Sequence, residues 1–133
     1  HDIDYETTKN NPARHSLEGG ALLEKLGADP SVVQAVRAHN GAHGIPRVSL
    51  LDKALYAVDP LTGLIVAAAL IHPARKLAAL DVPFVMNRFG EKHFAKGANR
   101  ETIRTCSEFG MELEEFISAG LSAMQEIAPA IGL

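Results

Sequence analysis

The stretch Leu61-Thr62-Gly63-Leu64-Ile65-Val66-Ala67-Ala68-Ala69-Leu70-Ile71 constrains the fold more than any other part of the chain. It carries no charge and is apolar around every face of a helix, so it predicts a central helix packed on all sides by others. Pro60 stands before it as a kink or a new first helical residue, and His72-Pro73 ends it. Its longest unbroken apolar run, Leu64 to Ile71, falls far short of the ~20 residues a membrane-spanning helix needs.

The remaining apolar positions also recur at helical spacing. Residues 1–14 are polar and read as the end of a helix and then a loop closed by Pro12. Leu17, Ala21, Leu22 and Leu26 mark a helix that Gly27 stops. Asp29-Pro30 reads as an N-cap followed by proline at the first helical position, with Val32, Val33 and Val36 facing inward as far as His39. Asn40 to Pro46 is a loop. Ser49-Leu50-Leu51-Asp52 resembles a capping box that opens a helix to about Val58. Further helices are expected at Pro83 to Phe89, Arg100 to Phe109 and Glu112 to Ile131, the last ended or kinked by Pro129. No alternating strand pattern or hairpin turn occurs. The expected class is all-α, a compact helical bundle.

At 133 residues the chain has the size of one domain, 1–133, able to bury a core without staples. A formal charge of −3 gives no basic footprint for nucleic acid. A single cysteine, Cys106, permits no intrachain disulfide, which fits a reducing cytoplasm, and no signal-peptide pattern opens the chain. The expected protein is therefore cytoplasmic, with no membrane and no nucleic-acid partner.

Chemistry is concentrated at the start. His1-Asp2 offers an imidazole nitrogen and a carboxylate oxygen from adjacent residues, and His15, His39 and Asp59 follow at positions compatible with helices. Each has a plainer explanation: His15 as an exposed residue at a helix start, His39 as a surface imidazole on a helix dipole, Asp59 as an N-cap before Pro60. Together they suggest a site for one or two divalent ions. Nitrogen and oxygen donors without thiolates suit Mn, Fe, Mg, Co or Zn. Two helix-interior glycines, Gly19 and Gly20, each cost roughly 1 kcal/mol relative to alanine and call for a close neighbour, either another helix or a ligand. Asp4 and Glu6 can serve as a general base or hold a ligating histidine from behind. Asn40 and His43 lie on the loop after His39, where His43 is a reserve ligand. Arg47, Lys76, Lys96 and Arg100 are candidate phosphate contacts, and Thr62 and Gly63 would begin a helix whose N-terminus attracts anions.

His1-Asp2-Ile3-Asp4, then His15 with Gly19, His39-Asn40 and Tyr56-Ala57-Val58-Asp59, resembles the HD-domain superfamily of metal-dependent phosphohydrolases. Asp59-Pro60-Leu61-Thr62-Gly63-Leu64, Phe94-Ala95-Lys96-Gly97, Asn99-Arg100-Glu101 and Ala123-Met124-Gln125-Glu126-Ile127 resemble a small bacterial and archaeal subgroup of predicted HD hydrolases. The resemblance implies an HD-type helical bundle with His1 and Asp2 as ligands, Asp2 bridging two metals, Asp59 as the distal carboxylate ligand, and His15 and His39 completing the second metal's ligand set. The family pattern places a further histidine upstream of His-Asp, so an N-terminally truncated domain is expected. Asp4-Tyr5 stands where cyclic-dinucleotide hydrolases of the family carry glycine and lysine.

The expected function is hydrolysis of a phosphomonoester or nucleotide by metal-activated water. Asp2 and Asp4 are the catalytic candidates, and Thr62, Lys96 and Arg100 the substrate-binding ones. The ligand pattern also occurs in dinuclear iron oxygenases of the superfamily. A non-catalytic helical regulatory module with a decayed metal site is the third possibility.

Overall fold

In the computed structural model, which describes residues 1–133, the chain is all-α: eight α-helices, three short 3₁₀ turns and no strand. The chain divides into two compact units, His1–Tyr56 and Ala57–Leu133.

The first unit holds α1 (Tyr5–Thr8), α2 (Leu17–Lys25), α3 (Pro30–His39) and the first part of α4 (Leu50–Ile71). Its helix ends follow local chemistry. Gly27, at φ +75°, closes α2 by letting its own N–H reach Glu24 and that of Ala28 reach Leu23. Asp29 accepts from the Ser31 N–H with Pro30 at the first helical position of α3. Asp52 Oδ2 accepts from the Val48 and Ser49 N–H groups while its own N–H donates to Ser49 Oγ, so the capping box forms with aspartate in the glutamate position. Burial pushes the Asp52 carboxyl up, but the hydrogen bonds from Ser49 and Val48 outweigh it and hold the carboxyl below the ordinary aspartate range. Helices α2 and α3 pack closely enough that a Cβ on Gly20 would stand 2.4 Å from Arg37 Cγ. A helix neighbour, not a ligand, is thus what requires that glycine.

The second unit is built on the remainder of α4, with α5 (Val82–Gly90), α6 (Arg100–Arg104), α7 (Leu113–Glu126) and α8 (Ala128–Ile131). Ala57, Leu61, Leu64, Ile65, Ala68 and Ala69 form a fully buried stripe of α4. They pack in a core with Val85, Phe89, Ile103, Ile117, Leu121 and Met124. Gly120 lets α7 approach, since a Cβ there would meet Leu61 Cδ2 at 2.9 Å. The helix is not apolar-buried all round: Leu70 and Ile71 are about half exposed.

Three helix limits differ from those read in the sequence. Pro60 neither starts nor breaks a helix, because α4 runs through it. Proline there withholds a hydrogen bond from the Tyr56 carbonyl, and burial of Ala57, Leu61, Leu64 and Ile65 sustains the helix across the defect. The resulting 22-residue helix is long and apolar enough to cross a membrane by length and composition, although its buried stripe is the core of the second unit. The expected helix at 100–109 is α6 followed by a 3₁₀ turn, Thr105–Phe109, closed by Gly110 at φ +79°. The last expected helix is broken at Ile127 into α7 and α8, two residues before Pro129.

Arg100, expected to contact phosphate, is a structural clamp. Its guanidinium donates to the carbonyls of Arg88, Phe89, Glu91, Phe94, Ala95 and Ala98. Those carbonyls belong to the C-terminal turn of α5 and the loop after it, groups that a helix end leaves without partners. Burial pulls the Arg100 pKa down.

Two outcomes follow. Arg100→Met keeps the apolar stem but strands these carbonyls, so urea unfolding should show a loss of about 2–4 kcal/mol, and a loss under about 0.5 kcal/mol would contradict the clamp. Asp52, with its folded pKa depressed, contributes stability that is present above its unfolded pKa and lost as pH falls through the folded one. The stability gap between the native chain and Asp52→Asn should therefore be widest near neutrality and close below about pH 4, read from urea midpoints, and a gap independent of pH would refute it.

Candidate metal centre

Asp4 organises the first unit's polar cluster. Its carbonyl accepts from the N–H and hydroxyl groups of Thr7 and Thr8, which begins α1. Its side chain, 3% exposed, accepts from His15 Nδ1 at 2.8 Å through Oδ1 and from the Gly19 N–H at 2.7 Å through Oδ2. Burial raises the Asp4 carboxyl, but the hydrogen bonds from Gly19 and His15, the His15 charge and the Ser16 N–H together hold it below the ordinary aspartate range. With both oxygens engaged, Asp4 takes the positioning role and not that of a free general base.

Gly19 belongs to this arrangement. A Cβ there would lie 3.2 Å from the Asp4 carboxyl carbon and from Ile3 Cγ2. Ser16, buried at the start of α2, adopts φ +70°, a conformation that costs a non-glycine residue on the order of 1–3 kcal/mol. Its hydroxyl donates to the Arg37 carbonyl. The His15 carbonyl is fixed from the other side by Asn40 Nδ2 at 3.3 Å and His43 Nε2 at 2.7 Å. His43 Nε2 thus holds backbone, and His43 is not among the residues whose ligand atoms cluster with Asp2.

With Nδ1 donating to Asp4, the His15 ring when unprotonated carries its lone pair on Nε2, which lies 3.4 Å from Asp2 Oδ1. His39, 3% exposed, repeats the device: Nδ1 donates to the Val36 carbonyl at 2.5 Å, and Nε2 lies 3.6 Å from the same Asp2 oxygen. His1 Nε2 lies 3.4 Å from the other oxygen, Oδ2. Ligand atoms of His1, Asp2 and His39 all fall within 4.8 Å of one another. The imidazoles meet edge to face, with His1–His39 centroids 4.9 Å apart and His15–His39 5.2 Å apart.

These separations are compatible with a shared ion. A direct charge-assisted N–H···O bond closes to roughly 2.7–2.9 Å, as His15–Asp4 does. Two ligands each about 2.1 Å from one ion at a tetrahedral angle lie roughly 3.4 Å apart. The 3.4 and 3.6 Å spacings about Asp2 fit the second case. Asp2 is half exposed, which leaves an approach from solvent. The donor set, imidazole and carboxylate with the other nitrogen of His15 and of His39 tied down, suits a borderline divalent ion.

Asp59, Thr62, Lys96 and Arg100 fall in the second unit. Asp59 lies within α4, where its carbonyl accepts from Thr62 Oγ1, and is not an N-cap. Thr62 is consequently in mid-helix, and no helix N-terminus exists there to receive an anion. Lys96 is exposed on the loop that Arg100 clamps. Arg47, in the first unit, stacks on Tyr56 with its guanidinium carbon 3.7 Å from the ring centroid. Sequence reasoning missed Thr8, Ser16 and the backbone pins on His15. A serine between a candidate ligand and a glycine pair was the available signal.

Searches of protein-family models, curated proteins and solved structures find no match to this chain.

Asp4→Asn removes the charge that orients His15. Calorimetric titration with Zn or Mn should show affinity lowered by about ten- to a hundredfold, and unchanged affinity would remove Asp4 from the positioning role.

Proposed function

We propose that this chain is a metal-dependent phosphohydrolase of the HD type, acting on a phosphomonoester or nucleotide. One observation carries the reading: the Nε2 atoms of His15 and His39 face a single oxygen of Asp2 at ion-sharing distances, while His1 faces the other oxygen. A carboxylate presented to imidazoles on both oxygens can serve one ion or bridge two. A divalent ion held there would supply Lewis acidity toward a phosphoryl oxygen and make water a nucleophile near neutral pH.

The protein's own part is to hold that donor set ready. Asp4 and the Val36 carbonyl keep the His15 and His39 lone pairs directed at Asp2. Burial of His39 and Asp4 beside a half-exposed Asp2 leaves one side of the cluster open to substrate. A cytoplasmic setting belongs to the proposal, in keeping with the buried free thiol of Cys106.

Phosphate release from a panel of phosphomonoesters and nucleotides is expected with added Mn, Co or Mg. Asp2→Ala, which removes the shared ligand, should lower kcat by about a hundredfold or more. Absence of release with every metal, or equal release from Asp2→Ala, would overturn the proposal.

A further inference from the structure

The loop between α5 and α6 is held unusually firmly for a surface segment. Arg100 binds carbonyls along it at Glu91, Phe94, Ala95 and Ala98. Asn99 caps α6 by accepting from the Glu101 and Thr102 N–H groups. Ala95 is fixed at φ +43°, outside the conformations an alanine prefers.

This loop walls a cleft of about 290 Å³ lined by Lys92, Lys96, Ala98, Asn99 and Arg100. Three cationic side chains line it and no carboxylate does. Both lysines are exposed, and neither is paired with an acid. The nearby Glu91 carboxylate is taken up by Arg88 at 2.7 Å. In a chain of net charge −3, this is a local concentration of positive charge against the overall sign.

A second hollow of about 370 Å³ shares Ala98 with the first and is lined also by Asp59, Pro60, Gly63, Ala95 and Gly97. A Cβ on Gly63 or Gly97 would meet nothing within 4 Å. Packing therefore does not require either glycine, and at Gly63, inside α4, the residue costs roughly 1 kcal/mol relative to alanine. Both leave the hollow open.

We propose that the Lys92–Arg100 segment is an anion site for a small phosphorylated molecule. Lys92 and Lys96 take the phosphate, on a loop whose shape Arg100 sets, and the adjoining hollow accommodates the rest of the ligand. Fixing the loop before binding lowers the ordering cost of a site that presents two exposed ammonium groups. Net acidity of the chain disfavours a polyanionic nucleic acid as the occupant. The proposal does not rest on the metal centre, since every residue it uses lies in the second unit.

The test is titration of the full chain with pyrophosphate in EDTA, followed by amide chemical shifts, so that any metal-dependent binding is silent. Saturable shifts confined to residues 92–100 are expected, weakened by about tenfold or more in Lys92→Gln/Lys96→Gln. Both lysines are exposed, so the double variant should keep its fold, checked by circular dichroism. No saturable shift at 92–100, or the same affinity in the double variant, would overturn the proposal.

Discussion

Asp4 accepts from His15 Nδ1 and from the Gly19 N–H at the same time, and the arrangement of the first unit's candidate metal centre hangs on that double hold. The hydrogen bond to His15 sets the tautomer and presents Nε2 to Asp2. The hydrogen bond to Gly19 ties the start of α2 to α1, and a Cβ there would press on the carboxylate at 3.2 Å. A buried carboxylate without such partners would be costly. Here the partners reverse the effect of burial and keep Asp4 ionised in the folded chain. Strain at Ser16 sits within the same few residues, where backbone conformation is dictated by the cluster and not by local preference.

The same logic appears twice in the molecule, with opposite signs. In the first unit a buried carboxylate gathers backbone and imidazole donors. In the second, the guanidinium of Arg100 gathers carbonyls from the end of α5 and the following loop. Each is one charged side chain organising backbone that regular helix hydrogen bonding leaves unsatisfied. In each case, residues suited to chemistry stand at the edge of the organised segment: Asp2 with its imidazoles, and Lys92 with Lys96.

What could be read in the sequence was mostly local. The Asp29-Pro30 cap, the Gly27 stop and the Ser49–Asp52 box depend on neighbours within a few positions, so their residues announced them. The gathering of His1, Asp2, His15 and His39 was anticipated from residue type, while the means of orienting them was only one of two roles open to Asp4. The reading of Pro60 as a helix start failed because its cost is met by distant apolar contacts that a local pattern does not contain. Arg100 was misread for a related reason. An arginine that finds phosphate and an arginine that finds six carbonyls look alike until the fold brings the carbonyls together. Thr62 followed Pro60 into error, since its supposed helix start does not exist.

The central claim is that His1, Asp2, His15 and His39 are arranged to hold a divalent ion, and X-ray absorption at the zinc edge of the zinc-loaded chain tests it directly. The account predicts a nitrogen and oxygen shell at about 2.0–2.2 Å with the outer-shell scattering of more than one imidazole, and no sulfur. A spectrum without imidazole scattering, or with a sulfur shell near 2.3 Å, would contradict it.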